Sequence, residues 1–364
     1  MNTTQSIHQR RQRFLMFGPA PEAQGGMSSV IKVYQDSGLL QKWNIRLVPT
    51  YREGPPIARL AIGLKALLVL LSSLLARRVV LVHLHSAQKT SYIRKALLAE
   101  LAHMFDTPYI FHIHGAEFDN FYESGGPMRR WWIRRTLRNA ASVVALSEGW
   151  KTWLRSVEPK ADVSVVHNPV QIPTVAANPG ENGSQILFLG RLGARKGVYE
   201  LLEAVKAILP TCPGLRLVCA GDGEIQQVRR RVEELELTHH VTLPGWVTGE
   251  KKAEMIRQSS VFVLPSHHEG LPMSVLECMA YGLPVVTTRL RGMDEAVTEG
   301  VDGFLVDPGN IQQLAQALTM LLSNQNLRSR IGAAARDKAM RKFSTTATRE
   351  QLESLYRRLF PHAD

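Results

Sequence analysis

Short apolar runs alternate with helical stretches along the whole chain. RFLMFGPA, NIRLVPTYR, VVLVHLHS, PYIFHIHG, ASVVALSE and DVSVVHNPV mark the first half; QILFLGRL, LRLVCAGDG, HVTLPGW, VFVLPS, PVVTT and GFLVDP mark the second. Most are apolar throughout, rich in β-branched or aromatic residues, and end in Gly, Pro, Ser or His. That pattern predicts strands of a parallel sheet covered on both faces. Helices are expected around 92–105, 199–209, 225–235, 311–322 and 326–342. Two successive β/α series of five or six strands result. The Pro-, Asn- and Gly-rich stretch 168–184 lies between them and reads as an interdomain linker. The fold class is α/β: two Rossmann-like, doubly wound parallel-sheet domains, residues 1–176 and 177–344, expected to face each other across a cleft. Ligands would bind at the C-terminal ends of the strands.

Length agrees with this division, since 364 residues exceed the ~150 of a typical domain. The content of 45% hydrophobic and 21% charged residues excludes a disordered chain. Three cysteines, Cys212, Cys219 and Cys278, are odd in number and lack CxxC spacing, so small core thiols in a reducing compartment are expected. The N-terminal MNTTQSIHQRRQRFLMFG reads as a basic leader before a first strand, because its apolar run is too short for a signal peptide.

Charge changes the picture once it is divided. Residues 1–180 carry 22 basic and 11 acidic side chains, whereas residues 181–364 carry 22 and 21. The first half therefore suits an anionic partner. No nucleic-acid motif accompanies the charge, so that class is set aside. Two stretches of this half stand out. Residues 57–75, IARLAIGLKALLVLLSSLL, predict either a buried or interface-facing helix or one lying in a membrane surface. Residues 128–138 cluster Arg129, Arg130, Arg134, Arg135 and Arg138 around Trp131 and Trp132. They suit contact with an anionic membrane surface, or a solvated helix face with Trp in the core.

The chemistry-bearing residues concentrate at strand ends. HHEGLPMSVLECMAYGLPVV follows the strand VFVLPS. Pro272 suits the first turn of a helix and Gly282 the position past its end. The amides of Leu271, Met273 and Ser274 would then form an anion site suited to a diphosphate. Glu269 precedes this helix and Glu277 lies within it, placed to accept hydrogen bonds from sugar and ribose hydroxyls. In LFLGRLGARKG, a strand ends at Gly190, and Arg191 and Lys196 follow in a loop able to clamp a diphosphate. Gly25 and Gly26 follow the first strand and permit close approach to a ligand. His112 and His114 share one face of a strand end, and His114, beside Gly115, is expected to contact substrate. No third ligand nearby supports a metal. GxGxxG, GxxxxGK[ST] and Asp-x-Asp are all absent.

Taken in order, GGMSSV, HIHG, GRLGARKG, AGDGE, EGLPMSVLE and RGMDEAV resemble the retaining glycosyltransferases of family 4, which have the GT-B fold. The resemblance covers essentially the whole chain; Cys278 stands where family members often have Ala. HSAQKTSYIRKALL and HIHGAEFDNFY resemble bacterial transferases of exopolysaccharide assembly on a lipid carrier. It implies that Arg191 and Lys196 hold the donor diphosphate, Glu269 and His114 lie near the donor sugar, Glu277 binds the ribose, and Gly26 approaches the phosphates. It further implies a nucleotide-sugar donor (GDP-mannose or a UDP-hexose), a lipid-linked glycan acceptor, front-face substitution, and neither metal nor cofactor. A cytoplasmic enzyme peripheral on the inner face of the membrane is expected, held by 57–75 and 128–138. A soluble sugar acceptor is the alternative. The final helix, 345–364, would return to the first domain.

Overall fold

A computed structural model describes residues 13–179 and 183–361; the basic leader lies outside them. The chain forms two compact units. One ends at Pro169 and regains the C-terminal segment from Thr345; the other is Val170–Ser344.

The first unit holds β1 (Arg13–Pro19), β2 (Ile45–Tyr51), β3 (Val79–Ser86), β4 (Tyr109–Ile113), β5 (Ser142–Ala145) and β6 (Val163–Val165). All pair in parallel, in the order β2-β1-β3-β4-β5-β6. The helices Thr90–Met104, Pro127–Arg138 and Glu148–Val157 add Tyr92, Ile133, Leu137, Trp150 and Leu154 to a core with Phe17, Leu84 and Phe111 of the strands. The C-terminal helix Thr345–Leu359 packs on this unit, with Tyr356 edge-on to Phe14 and Trp43.

The second unit holds β7 (Gln185–Leu189), β8 (Arg216–Ala220), β9 (Val241–Gly245), β10 (Val261–Leu264), β11 (Val285–Thr288) and β12 (Gly303–Val306). Their order is β12-β11-β10-β7-β8-β9, again parallel. Each expected strand is present, and β7, β10 and β11 are almost wholly buried. β7 and β10 are neighbours although β8 and β9 intervene in sequence, and the strand order reverses between them. That is the topological switch point where open α/β sheets take ligands.

Two local readings change. The expected helix 326–342 is α-helical over Gln325–Lys338 and continues as a π turn, Ala339–Phe343. The start of the expected linker is packed structure: Asn168 and Val170 are buried and Val170 bridges Ser344.

Candidate functional site

In the second unit the loop after β7 is fastened on both sides. Toward β8, Leu192 N–H donates to Asp222 O at 2.6 Å and Glu224 N–H to Leu192 O at 2.9 Å. Toward β10, His267 N–H donates to Arg195 O at 2.9 Å and the Arg195 guanidinium to His268 O at 3.2 Å. These bonds leave no room for side chains at three glycines. A Cβ on Gly221 would lie 1.8 Å from Gly190 O, and one on Gly197 (φ +71°) would lie 2.0 Å from Pro265 O. Gly190 itself would tolerate a Cβ, its nearest contact being 3.7 Å. The steric need for glycine at this strand end falls on Gly221 and Gly197, and on Gly223 (φ +107°), where a Cβ would lie 2.3 Å from Leu192 O.

This close packing joins Lys196 to Glu269 in a buried ion pair, and Ser266 Oγ donates to the same carboxylate oxygen at 2.7 Å. Thr288 Oγ1 in turn holds Ser266 O. Glu269 thus has a charged and a neutral partner, as a buried carboxylate requires. Arg191 is different: its side chain is 69% exposed, 3.6 Å from Asp222. One cation is fixed and one projects, a combination suited to a polyanion.

The helix after β10 is Met273–Tyr281, with Pro272 as its N-cap and Gly282 (φ 87°) closing it in the left-handed region. Pro272 is therefore the cap rather than a first-turn residue, because its ψ of 129° is extended. Leu271 consequently lies ahead of the cap, and Met273 and Ser274 form the first turn. Glu277, one turn on, accepts from Lys252 Nζ at 2.7 Å. Lys252 had no sequence signal, since it comes from the separate helix Gly249–Arg257.

In the first unit, Gly25 (φ 119°) precedes the helix Gly26–Asp36, with open space where a Cβ would be. The larger finding is on β3 and β4. His85 pairs in register with His112, and period two puts His83 and His85 on one face. With His114 just beyond β4, four imidazoles form one stack: centroids are 4.5 Å apart for His83–His85, 4.8 Å for His85–His112 and 4.1 Å for His112–His114. His83 Nδ1 meets Tyr356 Oη at 2.7 Å and His85 Nδ1 meets His114 Nε2 at 2.8 Å. Burial holds all four basicities down, reinforced by neighbouring imidazoles at His83, His85 and His112 and by Lys95 at His114; His83 and His114 fall to about 3. Lys95, buried beside them, is lowered to about 7, first by burial and then by Arg94. Sequence reading singled out His112 and His114 alone. The HxH of β3 was a signal for the others.

The two surface stretches behave unequally. The helix Pro56–Leu75 buries only Ala66, Leu70 and Leu74 in the core. Ile57 is 82% exposed and Leu60 75%, and Leu64, Leu68 and Leu75 are also exposed. The reading of this stretch as a buried helix is thus corrected: its apolar stripe is wider than the surface it packs against. It is long and apolar enough to cross a membrane. In the helix Pro127–Arg138, by contrast, Arg134 and Arg138 pair with Glu158, Arg135 pairs with Glu100, and Arg130 bonds Glu123 O. Trp132 packs on the core, and Trp131 is exposed. Three of the five arginines are thus engaged by two carboxylates within the molecule.

Comparison with known proteins agrees with this architecture. Residues 18–169 match the glycosyl transferase 4-like domain, and residues 175–338 match the glycosyl transferases group 1. This chain is a glycosyltransferase, with a 4-like first domain and a group 1 second domain. It is 24% identical over 281 residues to alpha-D-kanosaminyltransferase of Streptomyces kanamyceticus, covering 71% of this chain and 72% of that one. It is 29% identical over 169 residues to the capsular polysaccharide biosynthesis glycosyltransferase CapM of Staphylococcus aureus, 46% of this chain and 44% of CapM. Among solved structures, sucrose-phosphate synthase from Thermosynechococcus elongatus superposes with a TM-score of 0.80 at 20% identity, over 96% of this chain and 100% of that one. Anabaena HepE in complex with UDP and glucose gives 0.73 at 17%, over 95% and 99%. The transferase therefore has the GT-B fold. Its Lys196–Glu269 pair and the first turn of the Met273–Tyr281 helix lie at the C-terminal ends of β7 and β10.

Proposed function

We propose that this transferase moves a hexose from a nucleotide-diphosphate sugar, a UDP-hexose or GDP-mannose, to a lipid-linked glycan, retaining the anomeric configuration. One observation carries the donor half: Lys196, Arg191 and the helix N-terminus after β10 gather around the switch point of the second sheet. Lys196 and Arg191 offset the charge that develops on the diphosphate as the bond from C1 to its oxygen breaks. The acceptor hydroxyl forms the new bond to C1 on the same face, and its proton passes to a phosphate oxygen of the leaving nucleotide. Glu269 binds donor-sugar hydroxyls and Glu277 the ribose. His114 is assigned to the sugar being transferred. In this scheme the protein's own cations do what a divalent metal would otherwise do, and no cofactor is required.

The acceptor half rests on the Pro56–Leu75 helix. Residues 54–99 hold seven basic side chains and no acidic one. An apolar, exposed helix in so basic a segment suits an anionic bilayer, where each inserted Leu or Ile contributes about 1.5–3 kcal/mol. The helix lies in the interface rather than spanning it, because Ala66, Leu70 and Leu74 belong to the core and both flanking strands to one sheet. The neighbouring helix adds exposed Ile93, Leu97 and Met104. The reading places the enzyme on the cytoplasmic face of the membrane, in assembly of an exopolysaccharide or surface polysaccharide.

Two measurements test this. A thermal-shift series with UDP, GDP, ADP and CMP, with and without Mg²⁺, should give a metal-independent rise in Tm with UDP or GDP. A rise that needs Mg²⁺, or none at all, would overturn the donor scheme. Flotation with liposomes containing anionic lipid should carry the protein up. Protein left at the bottom, with turnover on a soluble sugar, would replace the lipid-linked acceptor with a soluble one.

A further inference from the structure

We propose that His85 is a positioning residue for His114, fixing its ring plane and its tautomer. The inference rests on the assignment of His114 to the transfer step.

The geometry of the stack supports it. His85 Nδ1 lies 2.8 Å from His114 Nε2, and the two rings are stacked at 5.0 Å with a 21° tilt. One nitrogen of the pair must donate and the other accept. His85 Nε2 is buried and has no protein partner. A proton there would be a buried, unsatisfied N–H, more costly than a bare lone pair. The proton of His85 therefore belongs on Nδ1 and points at His114, which accepts through Nε2 and keeps its own proton on Nδ1. A side-chain hydrogen bond to Asn168 further restrains His114 and favours its protonated form.

His85 is itself immobilised. It is packed between His83 and His112, with Tyr34 at 6.2 Å on the far side. His83 is anchored to Tyr356, and His83 Nε2 lies 3.3 Å from His112 Nδ1. The charged or titratable groups facing His85 are these histidines, Tyr34 and Lys95. A metal explains the cluster less well. One ion with bonds of about 2.1 Å holds nitrogens no more than about 4.2 Å apart, whereas those of His83, His85 and His112 span up to 4.8 Å. Both nitrogens of His83 are also occupied by hydrogen bonds.

The test compares His85→Phe, which keeps a ring but no donor, with His85→Asn, whose amide nitrogen sits near the position of Nδ1. The full-length protein is used, with hydrolysis of UDP-glucose or GDP-mannose, whichever nucleotide raises Tm, and long-range ¹H–¹⁵N spectra of the imidazoles. His114→Phe is measured beside them. Misplacement of a reacting group by about 1 Å costs about a hundredfold. The expected result is a kcat about ten- to a hundredfold lower in His85→Phe, with the donor KM within about twofold and most of the rate restored in His85→Asn. The double variant His85→Phe/His114→Phe should be no slower than His114→Phe alone, as for residues that act as a unit. The spectra should show a bare His114 Nε2 in the wild type and in His85→Asn, and a redistributed tautomer in His85→Phe. Wild-type kcat in His85→Phe beside a depressed His114→Phe would overturn the positioning role and leave His114 standing. Wild-type kcat in His114→Phe would instead remove the His114 assignment. If His85→Phe does not fold, a His85→Asn protein whose His114 tautomer differs from the wild type overturns the proposal.

Discussion

Lowering the pH from 7 to 5 should destabilise the first unit strongly, and the histidine stack sets the size of the effect. In the folded state His83 is held near 3, and His85 and His112 are held well below 6.5. In the unfolded chain each titrates near 6.5. Below 6.5 the unfolded state binds more protons, so stability falls as pH falls. It is fully present above 6.5 and is lost progressively toward 3. Integrating over pH 7 to 5 gives about 2 kcal/mol for His83 alone, and His85 and His112 act in the same direction. That is a large share of the ~5–15 kcal/mol total of a typical domain. Five of the six tryptophans lie in this unit, so their fluorescence reports its urea unfolding. With a urea slope of about 1–3 kcal/mol per molar, His83 alone should lower the midpoint by about 0.7–2 M, and the other rings add to it. His112→Phe keeps a ring in the stack but cannot titrate, and its midpoint should drop less than that of the wild type. The depressed carboxylates Glu100, Glu158 and Glu353 also lose stability toward acid. They do so equally in both proteins, and the difference isolates His112. Equal midpoint shifts in the two proteins would refute the reasoning.

Other outcomes follow from the same geometry. Lys196→Ala removes the cation from a buried carboxylate and should lower kcat by about a hundred- to a thousandfold, read from initial rates with the fold checked by circular dichroism. Gly221→Ala drives a methyl into Gly190 O and should lower Tm by several degrees, whereas Gly190→Ala should be far milder, a contrast that calorimetry measures. Replacing Leu60, Leu64 and Leu68 together with Gln should abolish liposome flotation and leave the nucleotide-induced rise in Tm unchanged. Replacing Arg134 and Arg138 with Gln should reduce stability by leaving the buried Glu158 unpaired, yet barely alter flotation; a loss of flotation alone would restore that helix as a membrane contact.

Much of this molecule is legible in one dimension, and the rest has a definite physical reason for being hidden. Apolar runs identify all twelve strands, and they are continuous in the central ones because a doubly covered parallel sheet leaves no polar face there. Lys196 and Glu269 are each visible as a charged residue at a strand end, but their pairing is not. It exists because β10 returns to lie beside β7 across the chain reversal. His83 and His85 are hidden likewise: an HxH in an apolar strand looks like core until the register sets His85 against His112. The arginines of 128–138 looked unpaired because Glu100 and Glu158 lie outside their own helix.

The Pro56–Leu75 helix shows the opposite limit. Its composition reads equally well as a core helix or a membrane-surface helix, since both need the same leucines. What separates them is how much neighbouring surface there is to bury those leucines against. Here that surface reaches a single stripe, Ala66, Leu70 and Leu74, while Ile57 through Ala61 are exposed on every side. A second copy of the chain would bring like charges together, because the surrounding segment holds basic groups and no acid. The proposed anionic lipid surface would cover the leucines and satisfy the charge at once, and it is also where a lipid-linked acceptor would be found.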